Sequence, residues 1–207
     1  MDFHFTSTVR ILSVNLRHNF IQHFFTALVI AFLTPALFGI ASLDAREAAQ
    51  PLERLLSLTG TVLLTPVFLP EQNENIRDLI RSKKTDYLTV CFIRLLYSVC
   101  FLAVIIGSFT LVMHYSESAV TVRHFLGGFS SALFLGSLGF FLAGISRNTI
   151  LGYMVSMIYY IANFGIKDEL KNFYLFSMSA GSFTEKYWLL GGSMVLIAAT
   201  FVLLKNK

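Results

Sequence analysis

FLGGFSSALFLGSLGFFLAGI, residues 125–145, is a run without a single Asp, Glu, Lys or Arg. As an α-helix rising about 1.5 Å per residue, a run of this length reaches across roughly 30 Å, the hydrocarbon thickness of a lipid bilayer. A helix is also the simplest way for a segment in lipid to satisfy its own backbone hydrogen bonds. The run therefore predicts a membrane-spanning helix.

Other long apolar runs precede and follow this one. Together they predict six spans, at approximately Phe20–Ala41, Leu52–Leu69, Leu88–Met113, Phe125–Ile145, Thr149–Ile166 and Tyr187–Leu204. The composition agrees, because 55% of the 207 residues are hydrophobic and only 14% are charged, a balance outside that of soluble domains. We expect an all-α polytopic membrane protein with one transmembrane domain over residues 1–207.

The basic residues predict the orientation of the chain. The loop from Arg77 to Lys84 has the densest positive charge of any predicted loop. Loops rich in Lys and Arg stay on the cytoplasmic side of a membrane, so this loop and both termini are predicted to be cytoplasmic. The net charge of +4 fits retention at the inner membrane face, with lipid contacts, better than it fits nucleic acid, which we exclude as a partner.

Motifs for hydrolysis and metal binding are missing from the sequence. It contains neither a Gly-x-x-x-x-Gly-Lys phosphate loop nor a His-Glu-x-x-His zinc helix, and its histidines lack ligand spacing. Cys91 and Cys100 alone cannot complete a four-ligand zinc site. We predict no catalytic residue, no metal and no cofactor in this chain, and we rank an intramembrane hydrolase lowest among the possible functions.

A few small or polar residues stand out within the predicted spans. Gly128, Ala132 and Gly136 recur every four residues and predict a smooth face for close helix packing. Arg94 lies near the cytoplasmic end of its span, where its side chain is expected to reach the membrane surface as an anchor, with substrate binding as the alternative. Asn163 either bonds between helices or lines a translocation pathway.

Two segments outside the spans are predicted to be helical. Residues 1–19 place apolar side chains at helical spacing and predict an amphipathic helix on the membrane surface, with a plain extension of the first span as the alternative. Residues 167–186 are too polar to span, yet they contain Leu170, Phe173, Tyr174, Phe176 and Met178. For this segment we expect short helices resting at the outer surface.

The cytoplasmic loop at residues 70–86 is predicted to form a short helix. Pro70 suits the first position, and the acidic Glu71 suits the positive end of the helix dipole. Ile76, Leu79 and Ile80 recur at i, i+3 and i+4 and give the helix a small apolar face. That face would bind a partner protein or lie back on the bilayer or on the chain's own bundle.

The chain resembles the permease subunits of ABC-2 type exporters, also described as type V, over nearly its whole length. Glu71, Asn75, Leu79 and the pair Ser82-Lys83 look like the acidic residue, small residue, leucine and Thr/Ser-Lys pair of the family's loop. Asn75 departs from the glycine frequently found there. Residues 138–148 are similar to the family's small-residue run that ends in a polar Arg-Asn turn.

The resemblance implies a function for the loop. Residues 1–19 would be an elbow helix, and residues 70–86 a coupling helix that inserts its apolar face into a separate cytoplasmic ABC ATPase. The ATPase-coupling residues implied are Glu71, Ile76, Arg77, Asp78, Leu79, Ile80 and Arg81. ATP and Mg²⁺ would be bound by that ATPase and not by this chain, which would pair with a second copy or a paralogue in a bacterial plasma membrane.

The function implied is that of an exporter permease moving a hydrophobic or amphipathic substrate, such as a peptide, a drug or a lipid-linked molecule. One alternative is a non-transporting membrane sensor or scaffold that recruits a cytoplasmic partner through residues 70–86. The two hypotheses differ in the partner, because only the exporter requires an ATPase.

Overall fold

The structure, a computed structural model, describes residues 20–72 and 87–205. All regular elements in these two ranges are helices. The α-helices are α1 (Ile21–Phe38), α2 (Ala45–Arg54), α3 (Ser57–Leu64), α4 (Tyr87–Tyr115), α5 (Val122–Ser146), α6 (Thr149–Gly165), α7 (Lys167–Leu170) and α8 (Thr184–Lys205). Two 3₁₀ segments, Thr65–Gln72 and Lys171–Phe173, follow α3 and α7. The predicted all-α class is confirmed.

Five helical stretches are long and apolar enough to cross a membrane. They are Ile21–Phe38, Ala45–Pro70, Tyr87–Tyr115, Val122–Ser146 and Thr184–Lys205. Each overlaps one of the predicted spans. The remaining predicted span, Thr149–Ile166, contains α6, a helix of 17 residues that begins after Asn148, whose side chain accepts a hydrogen bond from the Ile150 N–H.

Helix α5 lies at the centre of the bundle and contacts α2, α3, α4, α6 and α8. Small residues allow its backbone to touch that of α3. A Cβ atom placed on Gly60 would lie 1.8 Å from the carbonyl oxygen of Ala132, and one placed on Gly136 would lie 2.5 Å from the carbonyl oxygen of Gly60. A Cβ atom placed on Gly128 would lie 3.2 Å from the Cβ atom of Leu52 in α2. The small-residue face of α5 therefore packs directly on α2 and α3.

The second predicted span is divided into three pieces. Between α2 and α3 the backbone hydrogen bonds change from the α-helical to the 3₁₀ pattern, because Leu58 and Thr59 donate their N–H groups to carbonyls only three residues earlier. After Leu64 the chain continues as the 3₁₀ segment, in which Pro66 and Pro70 have no N–H to donate to a helical ladder. Residues 52–68 are mostly buried, and the threonines of this second span lie inside the bundle.

Three connections interlock at one end of the bundle, which we call the capped end. They are residues 39–47, 116–124 and 174–183. The Ser118 hydroxyl donates to the Ile40 carbonyl at 2.7 Å and accepts from the Leu43 N–H at 3.1 Å. His124 Nε2 lies 2.9 Å from the Ala45 carbonyl oxygen. These bonds hold the connection between α4 and α5 against the start of α2.

The segment at residues 167–186 differs from its prediction as helices resting on the surface. Its helical parts are α7, the 3₁₀ segment after it and the first residues of α8, while residues 174–180 between them form loop and turn backbone. Leu175, Phe176 and Met178 are at most 3% exposed and belong to the core. The difference arises because partners on other helices, described below, bind the backbone of these turns and draw them into the bundle.

Two predicted helices cannot be compared with the structure. The elbow helix at residues 1–19 lies outside the described residues, as does the part of the coupling helix from residue 73 to residue 86. Residues 70–72 are described and belong to the 3₁₀ segment that begins at Thr65. Within the described residues, therefore, no new helix begins at Pro70.

Candidate functional site

A buried ion pair between α2 and α8 is the main polar site of the capped end. Helix α2 begins with a capping box, in which the Asp44 carboxylate accepts from the N–H groups of Arg46 and Glu47. One face of α2 is then buried, and Glu53 lies on that face near its end. Lys186 is in the first turn of α8 and faces the same interior.

The two charged groups are in direct contact. Lys186 Nζ lies 2.6 Å from Glu53 Oε1, and the side chains are 5% and 0% exposed. The Glu53 carboxylate also accepts the N–H of Met178 at 2.7 Å and that of Ser179 at 3.0 Å. Glu53 therefore holds the backbone of the turns that follow the second 3₁₀ segment.

The ammonium group of Lys186 has three acceptors. Besides Glu53 it donates to the Ser131 hydroxyl at 2.6 Å and to the Leu175 carbonyl oxygen. A lysine ammonium has three N–H donors, so each can be matched by one of these acceptors. Burying charge is costly unless it is paired and hydrogen-bonded, and this site meets both conditions.

Asn163 of α6 provides a second attachment for the same turns. Its side-chain oxygen accepts the Leu175 N–H at 2.8 Å, and its amide nitrogen donates to the Tyr159 carbonyl at 2.7 Å. The Tyr159 hydroxyl donates in turn to the Phe173 carbonyl. Of the two roles left open for Asn163, the structure shows the bond between elements, and the side chain is fully buried.

Tyr174 lies at the outer edge of this polar site. Partial burial and, secondly, the negative charge of Glu53 raise the pKa of its phenol, while the positive charge of Arg54 opposes part of that rise. Nearby, Tyr160 donates to the Arg54 carbonyl at 2.7 Å and links α6 to the end of α2. The site thus joins α2, α5, α6 and α8 through the turns at residues 174–180.

The arrangement favours a structural role over a chemical one. The carboxylate and the ammonium are enclosed, and their hydrogen-bonding atoms are engaged by the chain itself. Among the described residues, groups of three or more His, Cys, Asp or Glu able to hold a metal ion are absent. We conclude that the pair positions residues 174–183 as a packed cover over the capped end.

The opposite end of the bundle has its own polar contacts, close to the loop at residues 73–86. Arg94 Nη1 donates to the Val67 carbonyl at 3.1 Å, and Gln72 Nε2 donates to the Thr149 hydroxyl at 2.5 Å. Arg94 is 4% exposed, so its predicted extension to the membrane surface is wrong. The 3₁₀ segment leaves carbonyls free of the regular α-helical ladder, and the arginine binds one of them inside the bundle.

The structure places few of the predicted coupling residues. Glu71 lies in the 3₁₀ segment, and the remaining six are outside the described ranges. Reasoning from the sequence missed both Glu53 and Lys186. The available signal was an acidic residue within one predicted span and a basic residue beside another, at the same predicted end, because charges in a membrane usually pair.

Over the described residues, the fold is all-helical, with five stretches long and apolar enough to span a membrane and a charge-paired, packed cover at one end. Comparisons of the chain with protein-family models, with curated proteins and with solved structures each gave no match.

Proposed function

We propose that this chain is the permease subunit of an ATP-driven ABC exporter that moves a hydrophobic or amphipathic substrate. ATP and Mg²⁺ are bound and used by a separate cytoplasmic ATPase, which docks on the loop at residues 70–86. The permease works as a pair, with a second copy or a paralogue. It lies in a bacterial plasma membrane with both termini in the cytoplasm.

The observation that carries the proposal is the connection between this loop and the helices on either side of it. The loop follows the 3₁₀ segment, which is bonded to α6 through Gln72 and Thr149 and to α4 through Val67 and Arg94. A force applied to the loop is therefore delivered to two further helices and not only to the one it follows. In interface-driven switches, motion can be carried by packed helices and hydrogen bonds of this kind.

Close packing inside the chain supports a pathway between two subunits over one within a single subunit. The backbones of α3 and α5 touch at Gly60 and Ala132, which leaves no room for a substrate between these helices. The outer faces of α1, α6 and α8 carry exposed apolar side chains, such as Phe32, Ile158 and Val195. A route for an apolar substrate is therefore proposed along the surface of the bundle, where a second subunit would close it.

The proposal includes six spans. Five stretches satisfy the length and hydropathy of a span, and α6 supplies the sixth. Its 17 residues correspond to about 25 Å of helix, at the short end of the range that crosses a bilayer. An even number of spans puts both termini on one side, and the positive charge between Arg77 and Lys84 makes that side the cytoplasm.

Co-purification tests the proposal. The affinity-tagged chain is expressed in its source cells, purified in mild detergent, and assayed for a bound ATPase and for ATP hydrolysis. The test variant is Ile76→Asp with Leu79→Asp, which places charge on the predicted docking face. Glu74→Gln, in the same loop but outside that face, is the control. We expect an ATPase with the native chain and the control, and none with the double variant.

A stable native chain that purifies without any ATPase would overturn the exporter and leave the sensor or scaffold as the better hypothesis. An ATPase retained equally by the double variant would refute docking through Ile76 and Leu79. Monodisperse elution of every variant from a sizing column is required, so that loss of the ATPase is not confused with unfolding.

A further inference from the structure

A groove runs along the outside of the bundle between α4 and α5 at the capped end. Its volume is about 580 Å³, and it is lined by Gly107, Thr110, Leu111, His114, Val120, Thr121, Val122 and Phe125. This volume lies within the range of small-molecule sites in proteins, about 300–1,000 Å³. Most of the lining is apolar, and the polar side chains lie toward the connection between the two helices.

Two features of the fold keep the groove open. Gly107 has no side chain, and a Cβ atom there would lie 3.5 Å from Phe125 Cε2, so a larger residue would grow into the space. The connection at residues 116–121 is held against the connection between α1 and α2 by Ser118, which bonds to Ile40 and Leu43. The Ala119 N–H reinforces this by donating to the Leu43 carbonyl. The groove is thus set by the backbone and not by the chance position of one side chain.

Polarity changes along the groove in the way it changes across the surface of a membrane. From Gly107 to His114, α4 rises by about 10 Å. The Thr110 hydroxyl, between these two residues, donates to the Ile106 carbonyl of its own helix at 2.7 Å. The part of the groove near Gly107, which we call its lower part, is therefore apolar. At the upper end His114 is exposed, and Glu117 of the connection and Arg123 of the first turn of α5 are exposed as well. An apolar groove that ends at exposed polar and charged side chains suits an acyl chain with its headgroup at that end.

We propose that the groove binds one acyl chain of a membrane phospholipid, with the phosphate of its headgroup near His114. Both helices that form the groove are long and apolar enough to span a bilayer, and Leu111 and Val122 at its edges are exposed. The groove therefore opens directly to the lipid hydrocarbon. The proposal needs only that α4 and α5 cross a membrane, and it stands whether or not the chain is an exporter.

Photochemical labelling distinguishes a bound phospholipid from ordinary surrounding lipid. The full chain is reconstituted in nanodiscs of phosphatidylcholine with phosphatidylglycerol that carries a photoactivatable acyl chain, then chased with unlabelled lipid before illumination. Labelled residues are mapped by peptide mass spectrometry. We expect label at Leu111 and Phe125 to survive the chase, and label at Leu96, an apolar position of similar exposure to Leu111 toward the other end of α4, to disappear.

Variants fix the position of the bound chain. Gly107→Leu fills the groove and should abolish the retained label, whereas Gly107→Ala should keep it. If Gly107→Leu does not fold, Leu111→Trp obstructs the groove from its exposed edge and should have the same effect at Phe125. His114→Ala, which removes the one imidazole in the lining, should weaken the retention of phosphatidylglycerol.

Three results would overturn the proposal. The first is label at Leu111 and Phe125 that exchanges as fast as label at Leu96, which would mean surrounding lipid only. The second is retained label that Gly107→Leu and Leu111→Trp both leave unchanged. The third is crosslinking of the groove to a second copy of the chain in place of lipid.

Discussion

Glu53 of α2 and Lys186 of α8 form a buried ion pair with 2.6 Å between Lys186 Nζ and Glu53 Oε1. The pair adds little net stability, but the cost of losing either residue is large as long as the other remains. A buried ion pair often adds little over apolar residues of the same shape, but removing one partner leaves the other charged and enclosed. Each half therefore requires the other.

Lys186→Met should destabilise the protein by about 3–5 kcal/mol, because it leaves the Glu53 carboxylate buried without its counter-charge. Adding Glu53→Gln to Lys186→Met should recover part of that loss. Thermal unfolding in detergent, measured for both single variants and the double variant, gives the coupling between the two sites. Lys205→Met, at the exposed end of the same helix, is the control. Additive losses from the two single variants would contradict the pairing.

Gly60→Ala should cost about 1–3 kcal/mol, because its new methyl group has to push the backbone of α5 away from that of α3. The matched substitution is Gly191→Ala in α8, where a Cβ atom meets nothing within 4 Å. Alanine favours a helix by up to about 1 kcal/mol over glycine, so this control should be neutral or stabilising. Equal melting temperatures for the two variants would argue against the contact at Ala132.

Gln72→Ala and Thr149→Val each remove one partner of the bond that joins the 3₁₀ segment to α6. Each should cost only about 1 kcal/mol of stability. If the proposed function is correct, both variants should still bind the ATPase but stimulate transport-linked ATP hydrolysis less. The two effects should not add, since they break the same bond. Unchanged hydrolysis in both variants would show that this bond does not transmit the motion.

The phenol of Tyr174 should ionise above the ordinary tyrosine pKa of about 10, because burial and Glu53 oppose the negative charge. The neutral form is favoured by folding, so the contribution to stability is present below the unfolded pKa and is lost as pH rises through the higher folded pKa. The tyrosinate absorbance of the native chain minus that of Tyr174→Phe measures this titration. A midpoint at or below 10 would contradict the placement of Tyr174 beside Glu53.

Local sequence patterns predicted much of the fold. Apolar runs such as Leu88–Met113 and Phe125–Ile145 are matched by long helices, because burial in lipid and the internal hydrogen bonds of a helix act within one segment. The four-residue spacing of Gly128, Ala132 and Gly136 identified a packing face. It could not identify α2 and α3 as the helices packed on that face, since spacing carries no information about distant neighbours.

The site could not be predicted for the same reason. The turns at residues 174–180 are buried because Glu53, Asn163 and Lys186 bind their backbone, and these three residues come from separate parts of the chain. Composition alone indicated a polar surface segment. The second span was likewise predicted as continuous, because hydropathy does not register the change of hydrogen-bond pattern that follows Arg54.

Because the ribosome makes α2 before α8, the two members of the ion pair are synthesised at different times. Glu53 leaves the ribosome long before Lys186, so its carboxylate lacks this counter-charge until α8 has been made. A shortened product that ends before α8 would have neither the ammonium group nor the backbone contacts that go with it. Synthesis of α8 is therefore the step that supplies the counter-charge, and a chain that contains α8 differs from one terminated before it in whether this acid is paired.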